Sequence, residues 1–239
     1  MIYDPAIIEE LRLWEKKMTR RPSVAGYLSK AVQNRINRII PEQVHKAVTT
    51  AIKQMVRGVL FGAGYIGKTY PPPSSLTERE MLVEQRIKFY QTAAATEGGI
   101  TGAGGILLGL ADFPLLLGFK LKMLFDIAGM YGFDASDYRE RVYLLHIFEL
   151  AFSSQQHRKL VFEKMRDWDQ KKTTLPEDVH AFDWRSFQQE YRDYIDLAKM
   201  AQLVPGIGAV VGVVVNYRLL RQLGDTARNA YRMRLLPQA

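Results

Sequence analysis

The chain has no cysteine, which removes disulfides, thiolate metal sites and cysteine nucleophiles from its chemistry and fits a reducing compartment. Histidine is scarce: His45, His146, His157 and His180 are the four side chains that titrate near neutrality when unperturbed. No Gly-x-Ser-x-Gly elbow occurs, and no Gly-Lys-Ser/Thr closes a glycine-rich loop, which excludes an α/β-hydrolase nucleophile and a P-loop. His146 and Glu149 share a helix face, yet the His-Glu-x-x-His spacing of a helical zinc site is missing, so neither a metal nor any other cofactor is expected. Period-2 alternation flanked by hairpin turns is absent as well, and the reading is therefore all-α. The run at 210–215, rich in valine, is the stretch whose propensity argues against that reading.

Within its 239 residues, 47% hydrophobic and 24% charged, there is enough apolar material for a sizeable core. A net charge of +8 implies an anionic partner: lipid surface, nucleic acid or acidic protein. The basic clusters Lys16, Lys17, Arg20, Arg21 and Lys30, Arg35, Arg38 carry no zinc framework or RNA-binding aromatic motif, so nucleic acid ranks behind an anionic membrane. The first ten residues lack a basic segment followed by an apolar run, so no signal peptide is expected and the expected location is cytoplasmic.

Helix punctuation gives a multi-helix bundle of about seven to nine helices. Asp4-Pro5 is an N-cap with proline at the first helical position, ahead of Ile7, Ile8, Leu11 and Trp14 at helical spacing. Pro41 precedes a helix with Val44, Val48, Ile52 and Met55 as its buried stripe and Lys46, Lys53 and Arg57 turned elsewhere. Three prolines at 71–73 divide an N-terminal helical arm, 1–70, from a main domain, 77–239. Thr77-x-x-Glu80 reads as a capping box for a helix carrying Leu82, Val83, Ile87, Tyr90 and Ala94. Residues 134–137 read as a turn, 171–182 as the longest irregular connection, and Asp183 as the cap of the next helix.

Two segments depart from ordinary composition. Residues 98–119 contain seven glycines and one charge, Asp112, and residues 203–217 contain no charge. A spanning helix needs roughly 20 apolar residues, and an aspartate near its centre costs about 2.5–3.5 kcal/mol. The first segment carries Asp112 and Pro114 inside it and the second is short, so neither reads as a stable span. Glycines four apart, at Gly98/Gly102, Gly105/Gly109, Gly208/Gly212 and more weakly Gly58/Gly62, allow close helix approach. Asp112 reads first as a cap for a helix starting at Pro114, and Asn216 as a polar group closing an apolar helix. At about 100° per residue Arg218, Arg221, Asp225, Arg228 and Arg232 fall within about 80° of arc, giving a basic face beside the second glycine-rich helix. That face is either a solvated surface or an anion-binding rim.

TGAGGILLGLADFP at 101–114, DIAGMYGFD at 126–134, PGIGAVVGVVVNY at 205–217 and ARNAYR at 227–232 together resemble the EcsC protein family over roughly residues 77–235. The family takes its name from association with an ABC-transporter operon. More distantly the glycine-rich helical pattern is similar to senescence/spartin-type domains, for which lipid binding and transfer is the expected role. The resemblance therefore implies a non-enzymatic, peripheral membrane protein. Its lipid- or partner-binding residues would be Gly102, Gly105, Gly109, Asp112, Pro114, Gly208, Gly212 and Asn216, rimmed by Arg218, Arg221, Arg228 and Arg232. The alternatives are an adaptor docking onto a membrane transporter, and an enzyme with a site around Asp112, His146 and Glu149.

Overall fold

The computed structural model describes residues 4–20, 42–61, 75–101, 105–154, 157–194 and 209–236, and of 43–45, 94–101, 105–116, 192–194 and 209–216 the backbone alone. The described residues form nine α-helices and no strand: α1 (Pro5–Thr19), α2 (Glu42–Phe61), α3 (Leu76–Thr101), α4 (Gly105–Tyr131), α5 (Tyr138–Phe152), α6 (Arg158–Met165), α7 (Trp168–Lys171), α8 (Trp184–Tyr194) and α9 (Ala209–Leu235). The valine run at 210–215 is helical, because it lies inside α9. There helical neighbours override β propensity.

Several helix boundaries follow from side chains next to them. The Asp4 carboxylate accepts the Ala6 N–H at 2.9 Å, with Pro5 opening α1. At α3 the helix begins one residue before Thr77, so the expected capping box is displaced: the Ser75 hydroxyl accepts the Glu78 N–H at 3.2 Å. Ser75-x-x-Glu78 fits the same Ser/Thr-x-x-Glu pattern as the expected box, two residues earlier. Between α4 and α5, Gly132 adopts φ +88° while its N–H reaches the Gly129 carbonyl and the Phe133 N–H the Ala128 carbonyl, a Schellman closure. Asp134 then binds the Ser136 N–H at 2.8 Å, and Asp137 caps α5. The stretch 171–182 is less irregular than expected: it holds two 3-10 turns, Lys172–Thr174 and Val179–Ala181, before Asp183 caps α8 through Ser186.

α5 is buried on every side from Val142 to Phe152, which a helix can be only at the centre of a bundle. Around it pack α2, α4, α6 and α9. α2 presents Val48, Ile52, Met55, Val56, Val59 and Leu60 inward while Lys46, Lys53 and Arg57 stay exposed. Leu11 and Met18 of α1 join the same core. Pro41, the proline run and Gly62 lie outside the described residues, as do the side chains of Val44 and Ala94.

α3, α4 and α9 form a mutually packed trio. Paired residues fix its direction: Glu80 meets Arg232, Glu84 meets Arg228, Ile87 meets Gly224, and Gln91 donates to the Tyr217 carbonyl. As α3 numbers rise, α9 numbers fall, so the two are antiparallel. α3 and α4 are antiparallel too, with the Tyr131 hydroxyl donating to Glu80 and the Tyr90 hydroxyl to Asp126. The end of α3 and the starts of α4 and α9 are therefore gathered at one end of the bundle.

Candidate functional site

The end opposite that gathering is held by charge. Arg232, 3% exposed, forms a two-pronged pair with Glu80 at 2.6 and 2.7 Å and reaches Glu10 of α1 at 2.9 Å. Burial alone would lower the Arg232 pKa, but the hydrogen bonds and charge of Glu80 hold it above its ordinary value. One turn along, Glu84 takes Arg221 at 2.7 Å and Arg228 at 3.2 Å, and Asp225 binds both arginines at 3.0 and 2.9 Å. Burial works against the charged form of Glu84, and the hydrogen bond from Arg221 with the charges of Arg221, Arg228 and Lys88 outweighs it, so its pKa lies below the usual range. Nearby, Arg234 is clamped by Glu140 and Asp169 and lies over the Phe133 ring at 3.8 Å.

The gathered end is different in kind. Residues 92–101, 105–119 and 209–217 of these helices contain two charged residues, Glu97 and Asp112. The glycine-rich run at 98–119 is not one helix: it is divided between the end of α3 and the first half of α4. Among the described residues no helix is long and apolar enough to cross a membrane. α4 continues without interruption through Asp112 and Pro114. Pro114 is thus inside a helix rather than at its start, and the backbone leaves no cap position at Asp112. A proline there forfeits one backbone hydrogen bond, a disturbance of about 3 kcal/mol in a helix that stands alone.

At the boundary between the two ends lies a level of exposed basic and aromatic side chains. Phe89 and Tyr217 are 57% and 47% exposed, large apolar surfaces for a bundle with a well-formed core. Lys88, Lys122 and Arg218 are exposed beside them in sequence or one turn from the Tyr90–Asp126 rung. Gln91 bridging to Tyr217 ties α3 and α9 together at this height. Just inside, Lys120 is buried, and loss of hydration pushes its pKa down to about 8.

Of the sequence-derived candidates, Arg221, Arg228 and Arg232 share one face as expected, and that face meets Glu80, Glu84 and Glu10. Arg218 is the exposed member of the four. Gly102 and Gly208 lie outside the described residues; Gly105, Gly109, Asp112, Pro114, Gly212 and Asn216 are placed as helix backbone, and their side chains lie outside it. The close-approach reading of Gly58 does not hold at that glycine, where an added Cβ would meet nothing within 4 Å. Gly224 is the close approach that spacing missed: a Cβ there would meet Ile87 of α3 at 2.7 Å. Phe89 and Lys88 were missed too, and their signal is an exposed aromatic beside a cation on α3 just before the weakly charged stretch. His146 and Glu149 do pair, at 2.9 Å, but inside the core against Trp168 and Phe187. Among the described residues no three His, Asp or Glu side chains are grouped to hold a metal ion.

A family model described as the EcsC protein family matches residues 6–236. Protein EcsC of Bacillus subtilis (strain 168) is 45% identical over 235 residues, covering 97% of this chain and 96% of that protein. The uncharacterized protein YdbA of the same organism is 26% identical over 248 residues, covering 95% and 90%. No solved structure matches. A family match that starts in α1 and runs to the residue after α9, with a relative aligned along nearly the whole length, makes the chain a member of the EcsC protein family.

Proposed function

We propose that this protein is a non-enzymatic, cytoplasmic protein that sits peripherally on an anionic membrane, seating the gathered ends of α3, α4 and α9 in the headgroup region. The observation that carries the reading is the sorting of the bundle: three weakly charged, glycine-rich helix ends on one side of the Phe89–Tyr217 level, and an ion-paired body on the other. Tyrosine and phenylalanine at such a boundary suit the water–hydrocarbon interface, and neighbouring lysine and arginine suit lipid phosphates. The basic rim is then Lys88, Lys122 and Arg218: Arg221, Arg228 and Arg232 are held closely by carboxylates, whereas Lys88 lies 3.6 Å from Glu84 with its side chain mostly in water.

Co-sedimentation with vesicles of phosphatidylcholine, with and without phosphatidylglycerol, tests this. Each basic residue near an anionic surface contributes about 1 kcal/mol, so the triple variant Lys88→Glu, Lys122→Glu, Arg218→Glu is expected to bind phosphatidylglycerol vesicles at least about 100-fold more weakly. Equal binding of the protein and the triple variant, or no vesicle binding by either, overturns the reading. In that event a pull-down that survives delipidation would mark the adaptor alternative.

A further inference from the structure

Away from the apolar end, α2 and α8 face each other across a cleft of about 390 Å³, lined by Thr49, Ile52, Lys53, Trp184, Arg185 and two glutamines, Gln188 and Gln189. The volume lies within the range of about 300–1,000 Å³ common to small-molecule sites. Its chemistry is one-sided. Ile52 and Trp184 supply an apolar floor, Thr49 a hydroxyl, the glutamines two carboxamides, and Lys53 and Arg185 a cation from each helix, with no carboxylate in the lining.

Along α9 the protein neutralises four arginines closely, Arg221, Arg228, Arg232 and Arg234. Across this cleft it does not: among the described residues neither Lys53 nor Arg185 forms an ion pair. The nearby carboxylates are committed, Asp183 to the Ser186 N–H as the cap of α8, with Arg185 a lesser influence on it, and Glu190 to Lys164 at 2.6 Å. Arg185 also lies over the Trp184 ring at 5.9 Å, and Trp184 in turn meets Phe61 of α2 edge-on, so the guanidinium and the cleft wall are positioned together.

We propose that the α2–α8 cleft binds a phosphate monoester, the phosphate held between Lys53 and Arg185 with hydrogen bonds from Gln188, Gln189 and Thr49, and its carbon portion on Ile52 and Trp184. The assignment is independent of the membrane reading, because none of these residues belongs to the Phe89–Tyr217 level. Two cations plus neutral donors match a compact dianion, and an arginine fork suits phosphate oxygens in particular. The same chemistry is offered by a soluble phosphorylated metabolite and by a lipid whose headgroup is a bare phosphate.

Isothermal titration of the full chain with phenyl phosphate, and separately with monomeric dioctanoyl phosphatidic acid, tests the proposal and distinguishes the two sources. At least one of the two is expected to bind saturably, and the Lys53→Gln, Arg185→Gln variant to bind it at least about tenfold more weakly, as for the loss of charge-assisted hydrogen bonds. Both side chains are exposed, so an unchanged melting temperature is expected to accompany that loss. Tighter binding of the lipid assigns the headgroup source, and tighter binding of phenyl phosphate the soluble one. No saturable binding of either probe, or equal affinity in the double variant, overturns the proposal. Titrating the Lys88, Lys122, Arg218 variant with the same probes separates the two readings: it should bind them normally whether or not it has lost vesicles.

Discussion

Arg232 and Arg12 make similar ion pairs in opposite surroundings. Arg12 meets Glu9 one turn away in α1 with both side chains mostly in water, whereas Arg232 joins α9 to α3 and α1 and leaves Glu80 little solvent to fall back on. Breaking a buried pair strands the remaining charge, so Arg232→Ala is expected to lower the unfolding free energy by about 3–5 kcal/mol in urea titrations. Arg12→Ala should be indistinguishable from the parent. Equal effects would show that the Arg232 network contributes no more than a surface pair. A second residue-scale test concerns acid. Hydrogen bonding from Arg234, joined by Lys172, lowers the Asp169 pKa to about 2 from 3.8 against its partial burial. A carboxyl depressed on folding contributes stability that is present above its unfolded pKa and lost as pH falls through the folded one. The stability gap between the protein and Asp169→Asn should therefore be constant above about pH 5 and close between about pH 4 and pH 2; a gap that persists at pH 2 contradicts the assignment. Much at this scale was legible beforehand. Asp4-Pro5 and Asp183 declare their helices because a cap acts on amides two or three residues away. The partner of the arginine face was not legible: spacing shows that Arg221, Arg228 and Arg232 share a side of α9, but not that the side carrying Glu80 and Glu84 is what it meets.

At the level of elements, the seam between α3 and α9 depends on Gly224. An alanine there would drive its methyl into buried Ile87, and overpacking of this kind destabilises by about 1–3 kcal/mol. Gly58 of α2 faces open space, so Gly58→Ala is expected to stabilise by about 0.5–1 kcal/mol through helix propensity alone. Chemical denaturation of the two variants reads both signs, and the same sign for both would contradict the seam. The pair also shows the limit of glycine spacing as evidence. Gly58 and Gly62 have the four-residue interval and Gly224 has no such neighbour, yet contact is decided by what the facing helix presents. α5 illustrates the converse: its apolar residues are too evenly spread to show a stripe, because the bundle covers it from all sides. The division of the run at 98–119 between two helices was hidden for a related reason, since a uniformly apolar, glycine-rich stretch has little periodicity to mark a boundary.

For the whole molecule, the polarity of the bundle ties fold to proposed function. Under the proposed function, glycine removes side-chain bulk and the weakly charged stretches limit competing solvation, which suits the gathered helix ends to a lipid environment better than the ion-paired body. The formal charge of +8 favours approach to an anionic surface, and the exposed cations at the boundary favour approach by that end. Because the chain has no cysteine, one introduced thiol labels one place. An environment-sensitive fluorophore at Tyr217→Cys, compared with one at Ser136→Cys in the α4–α5 turn at the opposite end, is the most direct test. On phosphatidylglycerol vesicles containing brominated lipids, the label at 217 should shift to the blue and be quenched while the label at 136 stays unchanged. Quenching at 136, or none at 217 when the protein is vesicle-bound, would contradict the account.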